Sequence, residues 1–220
     1  MIKNKSNDTA NLNKLKKSDI TREKILSAAR NVFAQNSYNA ASIRMIANQG
    51  EFEFGLIRYY FPNKAALFET VMKSIYDELT TGIIRWLKGI EKMPVEDGFS
   101  LFLDRFIKYH FDYPEALRII INNIYLPEDP DFEVPGHHYI PKLLKQNRKT
   151  FEKTIRLRSS KEEINRFADS LNVQILMFIG ASTCNAKVIG IPPDSKKYRQ
   201  WVKETIMHIY LPHLKRLIFR

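Results

Sequence analysis

Arg58, Tyr59 and Tyr60 crowd the outer face of a short helical segment, and their donors suit a nucleic acid better than a reaction. The segment closes residues 42–61, SIRMIANQGEFEFGLIRYYF. Ser42 is placed to cap a first helix, because its hydroxyl can accept from a free backbone N–H. Ile43, Ile46 and Ala47 then recur at helical spacing. A turn falls at Asn48-Gln49-Gly50-Glu51, where Gly50 permits a left-handed backbone. A second helix follows from about Glu53 to Phe61, with Ile57 and Phe61 facing inward. Two short helices so arranged form a helix-turn-helix, whose second member lies in the DNA major groove.

Other chemistries find no residues to perform them. His137 and His138 adjoin on a loop, His208 and His213 are five apart with Pro212 between, and Cys184 stands alone. None of these spacings holds a zinc ion. The Glu128–Glu133 cluster lacks calcium-loop spacing and reads as a solvated loop. No phosphate-binding loop, dinucleotide fingerprint or nucleophile elbow is present. No cofactor and no metal are expected, and the chain does not read as an enzyme.

These side chains need a scaffold. The chain has 220 residues, too many for one small DNA-binding module, and 44% are hydrophobic, enough for a second buried core. Net charge is +11, which favours polyanionic partners. Residues 1–66 carry 11 Lys/Arg and 5 Asp/Glu, a net +6, so the basic excess is densest at the amino-terminal end. The single cysteine excludes an intrachain disulfide and fits a reducing cytoplasm. The opening MIKNKSNDTANLNKLKKSD lacks the apolar stretch of a secretory signal. Residues 1–18 read as a flexible basic arm. The longest apolar run, Val173–Cys184, is too short and polar to span a bilayer.

Ile25, Ala28, Ala29, Val32 and Phe33 put one apolar face on a helix upstream, and Asn63 can cap a helix downstream. The run TREKILSAARNVFAQNSYNAASIRMIANQGEFEFGLIRYYFPNKAALFETV, about residues 21–71, resembles the tetracycline-repressor (TetR) family of bacterial transcriptional regulators. Helical spacing along the chain gives an all-α protein of about nine helices, a pattern the resemblance also implies. Its parts are the arm, a three-helix DNA-binding domain over 19–66, and an effector-binding and dimerisation domain over 67–220. The resemblance also implies roles by position. Ser42, Arg44, Tyr60 and Lys64 would hold the DNA backbone, their hydroxyls and cations suiting phosphate oxygens. Phe54, Gly55, Leu56, Arg58 and Tyr59 lie where the family reads base edges. Arg58 can fork onto guanine O6 and N7, and Leu56 or Phe54 can touch a thymine methyl. The chain departs from the family at Glu51, where Gly is usual, and at Glu53 and Phe54. Glu51 and Glu53 either accept from bases or favour the positive end of the helix.

Helical spacing recurs beyond residue 66. Leu67, Val71, Ile75, Leu79, Ile83 and Trp86 make a long stripe, then Pro94 and Gly98 mark a break. Phe99, Phe102, Leu103, Phe106 and His110 form the next stripe, and Pro114 suits a first helical position. Residues 127–136 read as a loop, and a helix follows to Arg158. Ser160 and Glu163 form a capping box. Pro212 should kink or end the last helix. The resemblance implies a homodimer through the last two long helices. Gly180, Ala181 and Ser182 would allow close approach there. Candidate ligand-pocket residues are Trp86, Phe102, Phe106, Tyr109, His110, Tyr125, Phe151 and Phe178, a lining suited to a hydrophobic or aromatic compound. His110 on an apolar face reads either as a satisfied core histidine or as a ligand contact.

The function so read is a dimeric regulator, a repressor released from an inverted-repeat operator in double-stranded DNA by an unknown small-molecule effector. The fourth helix would be the lever. Two alternatives stay open: control by a protein partner without an effector, and a helical enzyme that borrowed the motif.

Overall fold

The computed structural model describes residues 4–124, 134–155 and 157–219, with side chains from Lys17 to Ile218 within those spans. Ten α-helices build the described residues: α1 (Asn4–Gln35), α2 (Ile43–Gly50), α3 (Phe54–Tyr60), α4 (Lys64–Leu87), α5 (Val95–Asp112), α6 (Glu115–Asn122), α7 (Tyr139–Ile155), α8 (Lys161–Ile175), α9 (Ser182–Ile189) and α10 (Lys196–Phe219). A 3-10 turn (Ile90–Lys92) and a π turn (Leu176–Gly180) interrupt the series. No strand occurs among the described residues, and none of their helices is long and apolar enough to cross a membrane.

α1 starts at Asn4, inside the stretch expected to be an arm, because no Gly or Pro interrupts the chain before Gly50. Its buried face is the expected one: Ile25, Ala28, Ala29, Val32 and Phe33. These side chains meet Ile46 and Ala47 of α2, Ile57 of α3, and Leu67 and Phe68 of α4 in one core. α4 spans 24 residues, about 36 Å at 1.5 Å per residue. It leaves that core and enters the second domain, burying the whole stripe from Leu67 to Trp86. α4 packs along α7, and α1 packs along α6.

Several expectations shift in detail. Gly98 breaks nothing; it lies inside α5, where an added Cβ would stand 3.0 Å from the Ile90 carbonyl oxygen. Pro114 caps α6 rather than opening it. The helix begun at Ser160 does not run smoothly to Gly190. It widens into the π turn, where the Ala181 N–H donates to the Leu176 carbonyl at 3.0 Å. Gly180 does allow a close approach, but within the chain: an added Cβ would lie 3.2 Å from the Leu117 carbonyl of α6. Pro212 does not end α10. Leu214 and Leu217 beyond it are buried, and the Arg158 N–H takes up the Leu217 carbonyl at 2.8 Å. Tyr125 and the Glu128–Glu133 cluster lie outside the described residues.

Candidate nucleic-acid interface and effector slot

Ser42 has extended backbone angles, and its hydroxyl accepts from the Met45 N–H at 3.2 Å, as its position predicts. The turn that follows differs from expectation. Gly50 is the last helical residue, and Glu51 carries the left-handed backbone, with φ 55° and ψ 41°. The Phe52 N–H donates to the Ala47 carbonyl at 2.9 Å and the Glu51 N–H to that of Asn48 at 3.4 Å. This pair of bonds is the Schellman stop, which usually places Gly where Glu51 stands. Gly50 serves a different need. An added Cβ there would sit 2.1 Å from the Phe52 ring, so its absence lets that ring fold over the turn and join the core.

The stop aims α3 outward. Ile57 and Phe61 are buried, while Phe54, Leu56 and Tyr59 are 42%, 36% and 81% exposed. The Arg58 guanidinium lies over the Phe54 ring, 5.2 Å from its centroid. Tyr59 meets Tyr60 edge to face, with centroids 5.1 Å apart. Arg44 and Gly55 are exposed, and Ser42 and Tyr60 are half-buried. Glu53 precedes α3 without capping it by its side chain.

Lys64 behaves differently from the other basic candidates. Its ammonium donates to the carbonyls of Tyr38 at 2.8 Å and Ala41 at 3.0 Å, and lies 4.3 Å from the Tyr38 ring centroid. Burial pushes its pKa below the ordinary lysine value. Two of its three N–H groups therefore tie α4 to the loop before α2, leaving one for another acceptor.

Sequence reading missed the polar ties between the domains. Glu78 of α4 accepts from Arg30 of α1 at 2.7 Å and from the Tyr109 hydroxyl of α5 at 2.8 Å. Burial and then the Glu78 hydrogen bond raise the Tyr109 pKa to about 12. At the end of α6, Asn122 donates to the Ala34 carbonyl at 3.1 Å, and Asn123 Oδ1 accepts from the Tyr38 N–H at 2.8 Å. These partners lie 48 to 88 residues apart, or 31 for Glu78 and Tyr109, so no local pattern announces them.

The candidate effector residues only partly converge. Trp86, Phe106 and His110 line one pocket of about 50 Å³ with side chains of α6, α7 and α8. Trp86, Phe106, Phe102 and Phe151 line an adjoining pocket of about 50 Å³. Phe178 lies apart, edge to face with Trp201, and Tyr109 is held by Glu78. His110 is in the core but is not satisfied: neither ring nitrogen has a partner, and burial lowers its pKa to about 3. A wider cleft of about 290 Å³ opens between the 3-10 turn, α5, α7 and α10, beside Met93, Phe99 and Leu214. No sequence pattern pointed to it. No cluster of three metal-ligating side chains occurs among the described residues.

Known proteins resemble this chain in part of its sequence and in its fold. Residues 25–71 match the family described as "Bacterial regulatory proteins, tetR family". A helix-turn-helix-type transcriptional regulator of Bacillus subtilis, YuxN, is 35% identical over 60 residues. That stretch is 27% of this chain and 21% of the relative's length. Among solved structures, a tetR-family regulator from Streptomyces coelicolor aligns with TM-score 0.60 at 14% identity, covering 92% of this chain and 88% of that one. A TetR-family regulator from Agrobacterium tumefaciens gives 0.63 at 15%, covering 91% and 99%. Bacillus subtilis FadR in complex with stearoyl-CoA gives 0.59 at 14%, covering 90% and 97%. At such identity these structures speak for the fold alone. Residues 25–71 thus carry a sequence match to the tetR family of bacterial regulatory proteins, and the fold around them is one that solved tetR-family regulators share along most of their length.

Proposed function

We propose that the protein binds an inverted-repeat operator as a homodimer and represses transcription until a small hydrophobic or aromatic ligand releases it. The observation that carries the DNA reading is the outer face of α3, where Phe54, Leu56, Arg58 and Tyr59 project from a rigid frame. In this reading Ser42, Arg44 and Tyr60 hold phosphates, and Lys64 offers its remaining donor. Gly55 lets the helix approach the bases closely. Two copies would present α3 to half-sites about one helical turn, ~34–36 Å, apart or a multiple of that.

The dimer is supported by apolar side chains left uncovered on α8, the π turn, α9 and α10. Val173, Met177, Val188 and Ile209 are all exposed. The release step draws on the ties between domains. α6 contributes Leu117 and Ile120 to the slot and ends at Asn122 and Asn123, which grip the DNA-binding domain. An occupant that moves α6 or α4 would move the DNA-binding domain with it. Such a ligand shifts the balance only if it binds the released arrangement better than the DNA-competent one.

The test is retention of duplex fragments by the purified protein at low salt, with Arg58→Ala and Tyr59→Ala beside the parent chain. Salt-sensitive binding that both variants lose supports the proposal. Binding that neither variant alters removes α3 from it. The narrowness of the slot favours a second reading, control by a protein partner. A C-terminal domain that takes up no apolar probe would prefer that reading.

A further inference from the structure

The slot between α4, α5, α6, α7 and α8 is mainly apolar; the polar side chains at its inner pocket are His110, Asn147 and Asn172. His110 is 1% exposed, and both of its ring nitrogens lack hydrogen-bond partners. Asn147 Oδ1, reaching the same slot from α7, is also buried without one. Trp86, Phe106, Ile120 and Leu143 stand around them, and no charged side chain lines the inner pocket. Native interiors rarely leave such atoms unpaired, because burial strips their hydration and only a partner replaces it.

We infer that this slot takes a neutral, mostly apolar molecule bearing one hydroxyl group, held through that hydroxyl by His110 and Asn147. The inference rests on the reading of the second domain as an effector domain and names the class of effector. A neutral imidazole offers one N–H donor and one bare nitrogen acceptor, and Asn147 Oδ1 accepts. A hydroxyl can accept from the imidazole N–H and donate to Asn147 Oδ1, so one group serves both side chains. A ketone would leave the acceptors unpaired. An ammonium would enter without a counter-ion, and Arg148 at the adjoining pocket is already held by Asp169 and Asn165, so a carboxylate finds no free cation there; burying an unpaired charge is far costlier than burying a hydroxyl.

The space is small as it stands. The inner pocket and its neighbour are each about 50 Å³ and meet at Trp86, Phe106 and Asn147. A ring-sized occupant must part α7 from α4 and press on Ile120 of α6. That pressure reaches Asn123, which holds the Tyr38 N–H at 2.8 Å.

The experiment is a calorimetric titration of the full chain with 1-naphthol, naphthalene and 1-naphthoate. The same titrations are made on His110→Phe and Asn147→Leu. The parent chain should bind 1-naphthol at least about tenfold tighter than either other probe, the discrimination one buried hydrogen bond gives. His110→Phe should keep naphthalene affinity and bring the two neutral probes together, and Asn147→Leu should narrow the gap. Equal affinity for naphthol and naphthalene overturns the inference, as does a preference unchanged in both variants, which would mean that water already satisfies His110. Failure to bind 1-naphthol at all overturns it too. If His110→Phe does not fold, Asn147→Leu decides. Retention of ligand-free protein on duplex DNA is measured separately, so a failed regulator reading and a failed ligand class give different results.

Discussion

Asn123→Ala isolates the contact that couples the two domains. The side chain is 4% exposed, accepts from the Tyr38 N–H at 2.8 Å, and donates to the Ile119 carbonyl at 2.8 Å. The substitution removes both bonds and leaves the Tyr38 N–H without its partner. A lost hydrogen bond costs about 0.5–1.5 kcal/mol and an unsatisfied polar group about 1–3 kcal/mol, so the sum for this site is about 1.5–4.5 kcal/mol. For a chain of this length each kcal/mol moves the melting temperature by about 2–4 °C, giving a drop of about 3–18 °C. Asn122→Ala is the internal control. It loses one part-buried bond of 3.1 Å to the Ala34 carbonyl and should cost about 1 kcal/mol. Scanning calorimetry of the three proteins reads the difference. Melting of Asn123→Ala within about 1 °C of the parent, a shift well below the cost of one lost hydrogen bond, would contradict the coupling. It is equally refuted if the Asn122 variant falls as far as the Asn123 variant.

Other substitutions have expected outcomes of their own. Glu51→Gly relieves a left-handed backbone that costs a side-chain-bearing residue about 1–2 kcal/mol, against a glycine entropy cost of about 0.5–1 kcal/mol. The variant should melt about 1–4 °C higher, and a lower melting temperature would show that Glu51 makes a compensating contact. Glu78→Ala strips Arg30 and Tyr109 of their shared carboxylate in a part-buried site and should cost about 1–3 kcal/mol in chemical denaturation. His110 gives a pH signature. Its folded pKa is lowered to about 3, below its unfolded value of 6.5, so the unfolded chain binds the extra proton between those values. Stability is therefore full above pH 6.5 and declines as pH falls through that window. His110→Phe removes the decline, and its melting temperature should gain about 3–5 °C on the parent between pH 7.5 and 5.5. A gap that stays constant with pH would place the histidine proton elsewhere.

The helices were legible because their apolar periodicity is local. The α1 face, the α4 stripe and the caps at Ser42, Asn63 and Ser160 were all readable from spacing and residue type. Geometry set by tertiary contact was not. Gly50 looked like the left-handed residue, yet the ring of Phe52 needed that space and passed the strained conformation to Glu51. The π turn answers the backbone of α6, which no pattern within α8 contains. Pro212 lies inside α10 because burial of Leu214 and Leu217 outweighs one missing hydrogen bond. The exposed face of α3 was legible, since Ile57 and Phe61 fix its rotation. The Lys64 ties, the Glu78 network and the unpartnered nitrogens of His110 depend on residues far away in sequence.

The most direct measurement of the central claim is a footprint of the purified protein on fragments of its source genome at low salt, repeated with Tyr59→Ala. Tyr59 is 81% exposed and touches mainly Tyr60, so the variant should melt with the parent while losing at least about tenfold in DNA affinity. The expected result is protection of two inverted half-sites about one helical turn apart, lost on substitution. No protected fragment, or protection that Tyr59→Ala leaves intact, would contradict it.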